Sequence, residues 1–140
     1  RVMTVSRGIG ARLPAAATSM GRVLLAGLPE AHLATWLADC QPVRHTRHTV
    51  PDKKKLGQMI EQVRMERFAY VEQELELGLC SLAVPIRNAE GRVAVAINTS
   101  MPYHPDVARK ARMVLLPALQ RTAEAVEACL VRNPLPAVSI

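Results

Sequence analysis

Aromatic side chains are scarce in this chain of 140 residues: Trp36, Phe68, Tyr70 and Tyr103 make up 3% of it. The core must therefore be built from Leu, Val, Ile, Met and Ala. A surface that stacks nucleobases on aromatics interleaved with basic groups is excluded. Cysteine is also rare. Cys40, Cys80 and Cys129 lie far apart and are odd in number, and no CxxC or Cys/His ligand spacing accompanies them. A zinc site and a disulfide framework are both disfavoured, and a reducing, cytoplasmic compartment fits best. No apolar run approaches the roughly 20 residues that a membrane-spanning helix needs, so no membrane partner is expected. No signal peptide is visible and no internal repeat occurs.

What is present suits one folded domain. The chain is 49% apolar with 21% charged residues, which argues against disorder. Its net charge is +6, which raises the question of nucleic acid. Only Lys53, Lys54 and Lys55 form a run, with Asp52, Glu61 and Glu66 close by, and the arginines are scattered. That pattern reads as a solvated basic surface rather than a phosphate-tracking one.

Arg1–Ser6 reads as a strand that starts without turn or cap, as expected of a piece of a longer polypeptide, and Ala11–Leu13 as extended before Pro14. Thr18 or Ser19 can cap a helix over Met20–Ala26 that Gly27 stops. Pro29 opens a second helix, with Leu33, Trp36 and Leu37 on one face. Val43–Val50, rich in Thr and Val, reads as a strand. Asp52 caps a third helix with Leu56, Met59, Ile60 and Val63 at helical spacing. Phe68–Val71 is a short strand and Glu72–Gly78 a polar link. Cys80–Ile86 and Arg92–Thr99 form a hairpin about a turn at Asn88–Gly91. A helix from Asp106 to about Leu130, kinked at Pro117, ends the ordered chain, and residues 132–140 form a flexible tail. This order gives an α+β class with a mainly antiparallel sheet.

The hairpin is the most informative segment. Pairing Arg87 with Arg92 sets Ser81 opposite Asn98, Ala83 opposite Ala96 and Pro85 opposite Ala94, with Ser100 extending that face. The other face carries Leu82, Val84 and Ile86 against Val93, Val95 and Ile97. Bulky residues suit packing under helices. The small face, ending in Ser81, Asn98 and Ser100, suits either a small-molecule pocket or close helix packing. The first turn of the Thr18 helix, around Ser19, Met20 and Gly21, offers unpaired N–H groups to a carboxylate, or is simply an ordinary capped helix start.

Four segments together resemble a known family: ATSMGRVLLAGL (Ala17–Leu28), HTRHTVPDKKKL (His45–Leu56), EQELELGLCSLAVPI (Glu72–Ile86) and GRVAVAINTSMP (Gly91–Pro102). In this order and spacing they resemble the effector-binding domain of IclR-type bacterial transcriptional regulators, over residues 1–131. The wording is most similar to the aromatic-acid (protocatechuate and p-hydroxybenzoate) branch. The resemblance implies a GAF-like domain: a curved, mainly antiparallel sheet of about six strands, flanking helices and a long C-terminal helix. It implies assembly into homodimers or tetramers, and DNA contact only through an N-terminal winged helix-turn-helix that lies outside this chain. It places effector contacts at Ser19, Met20, Ser81, Asn98 and Ser100. Apolar contacts from the first strand fall near Val2 and Val5, and an acidic contact of some relatives falls on Val71. Cys80 stands where aromatic-branch relatives often carry Arg.

The leading expectation is therefore a ligand-sensing domain that performs no chemistry and needs no cofactor or metal. A small carboxylic acid of the aromatic type would lie at Ser19, Met20 and Gly21, among Val5, Val71 and Leu79, with Ser81, Asn98 and Ser100 as polar contacts. The alternatives are a small enzyme and an assembly module. Cys80, the Glu72, Glu74 and Glu76 cluster and four histidines supply ingredients for catalysis. No spacing ties a nucleophile to a base, and the glutamates read as a solvated acidic link.

Overall fold

The computed structural model describes residues 8–139; the expected strand at Arg1–Ser6, with Val2 and Val5, lies outside them. Helix α1 spans Ser19–Ala26, α2 Glu30–Asp39 and α3 Lys53–Glu66. Strands β1 (Ala69–Glu72), β2 (Leu79–Arg87) and β3 (Val93–Pro102) follow. A short helix α4 (Val107–Lys110) runs through a π-helical turn at Ala111–Leu115 into α5 (Leu116–Leu130). The class is α+β, with an antiparallel sheet in the order β1-β2-β3. Among the described residues the sheet has three strands, against the six expected.

The caps are those that the side chains dictate. Thr18 Oγ1 accepts the Gly21 N–H at 3.1 Å and starts α1; the Asp52 carboxylate accepts the Lys54 N–H at 2.8 Å and starts α3. Gly27 ends α1 in a right-handed conformation, so its value there is not a positive φ. A Cβ on Gly27 would stand 2.6 Å from that of Val93, and the glycine is what lets α1 settle onto β3. Pro117 has no N–H for the carbonyl four residues earlier, and the widened turn before it absorbs the mismatch.

Residues 43–50 are not a strand. Thr49 Oγ1 accepts the N–H groups of His45 and Thr46, and Thr46 Oγ1 accepts that of His48. These local bonds take donors that a ladder would need, so the segment folds into a turn-containing loop despite its β-branched composition.

The hairpin turn is where it was expected, but the register differs by two residues. Ser81 pairs with Ser100, Ala83 with Asn98 and Pro85 with Ala96. A bulge at Ile86/Arg87 lets Ile86 pair with Val95 and Arg87 with Val93. A shift of two keeps each side chain on its face. Only Val93 changes sides: it packs against Gly27 of α1 instead of joining Leu82 and Val84.

The sheet separates two cores. On one face Cys80, Leu82, Val84, Ile86 and Met101 pack with Val107, Ala111, Leu119, Ala123 and Leu130 of the C-terminal helical segment. On the other, Val23 of α1 packs on Ala69 and Ala83. The far side of α1, with Leu25 and Ala26, packs on Leu33, Leu56 and Ile60 of α2 and α3. The tail past α5 returns to the hairpin, where the Val138 N–H donates to the Val93 carbonyl at 2.9 Å.

Because α1 is buried on both sides, its one charged residue is buried too. Arg22 is 2% exposed and Glu74 6%. The guanidinium forms a two-point contact with the carboxylate, Nη1 to Oε2 at 2.9 Å and Nη2 to Oε1 at 2.5 Å. Its Nε–H donates to the Ala16 carbonyl at 2.9 Å. The Glu74 carbonyl accepts from Thr49 Oγ1 at 2.6 Å. Glu74 is thus not part of a solvated link, because its charge is matched inside the fold; Glu76 alone of the three glutamates is fully exposed.

Glu74→Gln keeps the side chain's shape but leaves the Arg22 charge buried without a counter-ion. Urea unfolding should show a loss of about 3–5 kcal/mol. A loss below about 1 kcal/mol would mean that water reaches the pair.

Candidate functional site

The cross-strand register assembles one face from residues far apart in sequence. Val71, Ser81 and Ser100 are successive partners across β1, β2 and β3. Leu79 lies two residues before Ser81, and Asn98, opposite Ala83, two before Ser100. All five share the α1 side of the sheet. Val71 is buried, Leu79, Ser81 and Asn98 are half-buried, and Ser100 is exposed.

The face divides in two. Its alanines serve helix packing: Ala69 and Ala83 lie under Val23, with Met20, Val63 and Ala96 against them. Its hydroxyl end continues past that contact, which is where polar groups remain for another use. Of the two uses considered for the small face, close helix packing is realised at its alanines.

Above this face stands the first turn of α1. Ser19 is 1% exposed and its Oγ has no hydrogen-bond partner among the described residues. A buried hydroxyl without a partner is costly, by about 1–3 kcal/mol. Thr18 takes the Gly21 N–H, which leaves the Ser19 and Met20 N–H groups without intrahelical acceptors. No acidic residue lies in this turn, so the positive end of the helix is uncompensated. Gly21 has a different task. A Cβ there would enter the backbone of Ala15, so Gly21 fixes the approach of the preceding loop rather than contacting a ligand through a side chain. Val5, the remaining expected contact, lies outside the described residues.

Two cavities lie at the margins of this region. One of about 300 Å³ touches Ser100 but opens mainly on the C-terminal-helix side of the sheet, lined by Thr99, Met101, Val107, Lys110 and Leu115. Another of about 400 Å³ lies on the other side of the Ala15–Ala17 segment, lined also by Trp36, Cys40, Pro42 and His45. No residue of the sheet lines the second one, so its size alone does not make it the site.

The opposite face of the sheet carries the groups that most resemble catalytic ones. Tyr70 Oη donates to Glu72 Oε2 at 2.5 Å, and burial pushes the phenol well above its usual range. Burial likewise raises the Cys80 thiol, with the Glu72 charge adding to it and the hydrogen bond to Tyr70 opposing it. A thiol held protonated among core residues is a poor nucleophile. All four histidines are exposed, and among the described residues no three His, Cys, Asp or Glu side chains gather as metal ligands. No helix there is long and apolar enough to cross a membrane.

Sequence reasoning missed the Arg22–Glu74 pair and the role of Thr49 in anchoring the 43–50 loop to it. The available signal was an arginine flanked by Val23, Leu25 and Ala26 on a helix with no polar face.

Comparison with known proteins shows the family and the fold. Residues 1–128 match the sequence profile described as bacterial transcriptional regulator IclR C-terminal. The Pca regulon regulatory protein of Pseudomonas putida is 43% identical over 100 residues, covering 71% of this chain and 34% of that protein. The chain thus spans about a third of that relative's length. A transcriptional regulator from Rhodococcus sp. RHA1 superposes with a TM-score of 0.89 at 43% identity, over 93% of this chain and 53% of that one. The inducer-binding domain of the PobR transcription factor from Acinetobacter, a double mutant solved in complex with 3-hydroxybenzoic acid, superposes with a TM-score of 0.80. It is 31% identical, over 91% of this chain and 73% of that one. These relatives are transcriptional regulators, not enzymes.

Thiol titration at neutral pH checks the assignment of the cysteines. Exposed Cys129 should react with a disulfide reagent at once and half-buried Cys40 more slowly. Cys80 should react only on unfolding; its rapid alkylation in the native protein would reopen an enzymatic reading.

Proposed function

The chain belongs to the IclR C-terminal family of bacterial transcriptional regulators, and from that premise we propose that it senses an aromatic carboxylic acid. The effector's carboxylate sits at the first turn of α1, taking the Ser19 and Met20 N–H groups and the Ser19 hydroxyl. Its ring lies along the sheet against Val71, Leu79 and Met20. Ser81, Asn98 and Ser100 supply hydrogen bonds to ring substituents, and Val5, outside the described residues, is the remaining contact of this reading. The reading also has a six-stranded, GAF-like sheet.

The observation that carries the proposal is the buried Ser19 hydroxyl without a partner, at a helix N-terminus facing a half-polar sheet. A carboxylate removes both the unpaired hydroxyl and the uncompensated dipole in one contact. The PobR domain's complex with 3-hydroxybenzoic acid supports the choice of an aromatic acid. Regulation then requires the effector to bind one arrangement of subunits more tightly than another. In this reading the domain self-associates in the cytoplasm, and DNA is contacted by a winged helix-turn-helix segment of the whole protein.

Isothermal titration with hydroxybenzoates and protocatechuate tests this directly. At least one should bind, and Asn98→Ala and Ser19→Ala should each weaken it about tenfold, as expected for loss of one or two hydrogen bonds to a charged or polar ligand. No binding by any aromatic acid, or binding that both variants leave unchanged, would remove the proposal.

A further inference from the structure

The other end of α1 faces a different cavity, of about 240 Å³, where the ends of α1 and α3 meet the turn end of the hairpin. Its floor is apolar and includes Pro85 and Val93, and four arginines line it: Arg64, Arg67, Arg87 and Arg92. These come from separate elements, α3, its C-cap, β2 and the hairpin turn, so no single helix face accounts for their convergence.

Their existing partners leave most of this charge uncompensated. Arg64 is occupied: it donates to the Ala26 and Leu28 carbonyls at 2.9 and 3.1 Å, and Glu61 and Glu30 lie 3.4 and 3.6 Å from it. It thereby offsets the negative end of α1, which would otherwise repel an anion. The Arg87 guanidinium donates to the Gly91 carbonyl at 3.0 Å, and its backbone N–H donates to the Glu127 carboxylate at 2.9 Å. Among the described residues, the ion pairs within 4.0 Å involve none of Arg67, Arg87 or Arg92.

Arg67 adds an independent point. It ends α3 in the left-handed conformation, with φ 63° and ψ 29°. Glycine or asparagine is the ordinary occupant of that position, and a Cβ there is unfavourable by about 1 kcal/mol. The backbone geometry alone is better served by glycine, so this position carries a guanidinium that the helix end does not require.

We infer that this cavity is a second binding site, for a compact oxyanion bearing at least two negative charges. Guanidinium groups take planar carboxylates and phosphates in two-point contacts, and the apolar floor accommodates the carbon skeleton of a dicarboxylate. The site is separate from the aromatic-acid site, since it lies at the opposite end of α1 and shares none of the side chains assigned there.

Calorimetric titration of the chain with succinate and with inorganic pyrophosphate, at fixed ionic strength, tests the inference and separates the two anion chemistries. Saturable 1:1 binding of either probe is expected, weakened about tenfold by Arg67→Gly and by Arg92→Gln. Asn98→Ala should leave it unchanged, which keeps this result distinct from that of the effector site. Arg67→Gly should not lower the thermal midpoint, because glycine suits that backbone, so lost binding is not lost folding. The inference is overturned if neither probe saturates. It is equally overturned if the two variants change binding no more than Arg121→Gln on the exposed face of α5.

Discussion

The buried pair between Arg22 and Glu74 is the interaction on which the rest of this structure depends. An unpaired guanidinium inside an apolar core is untenable, so α1 can occupy its place only when the β1–β2 link delivers the carboxylate. The same glutamate, through its carbonyl, holds Thr49 and hence the 43–50 loop. One contact therefore fixes three segments: the helix that covers the sheet, the link that ends β1, and the loop beside Ala15–Ala17. The pair lies one helical turn past Ser19. The N-terminus of α1 is consequently a rigid fixture over the sheet, as a site must be to discriminate between similar small acids.

Small residues make that placement possible. Ala69 and Ala83 on the sheet and Gly27 at the end of the helix allow α1 to lie close without strain, while Gly21 admits the Ala15 backbone. The polar residues of the same face then fall past the packing contact rather than within it. In the proposed function this division separates support from recognition: alanines hold the helix, and Ser81, Asn98 and Ser100 meet the ligand. Charge is divided in a corresponding way along α1. Its first turn presents N–H groups without intrahelical acceptors and no acidic residue, while Arg64 caps its last carbonyls beside the arginines of the inferred anion site.

Much of this was legible in the sequence because it is local. Thr18 and Asp52 cap the helices they precede, and Asn88–Gly91 turns the hairpin. The alternation along β2 and β3 identified the two faces even though the pairing was displaced by two residues, since a shift of two preserves the face. The misreadings have non-local or competing causes. Thr46 and Thr49 look like strand residues, yet their hydroxyls capture nearby N–H groups. A bulge at Ile86/Arg87, invisible to simple alternation, carries Val93 to the α1 side. Glu74 reads as solvated because its partner lies 52 positions away. Ser81, Asn98 and Ser100 share a face as expected, and the register adds Val71 and Leu79 to it, while the burial of Ser19 and its unpartnered hydroxyl emerges only in three dimensions.

A crystal structure of the chain grown with 3-hydroxybenzoate tests the central claim most directly. The account predicts the carboxylate within hydrogen-bonding distance of the Ser19 hydroxyl and the ring against Val71, with Asn98 or Ser81 at the ring hydroxyl. A ring seated in the Trp36 cavity or among Arg67, Arg87 and Arg92, with Ser19 still unpartnered, would contradict it.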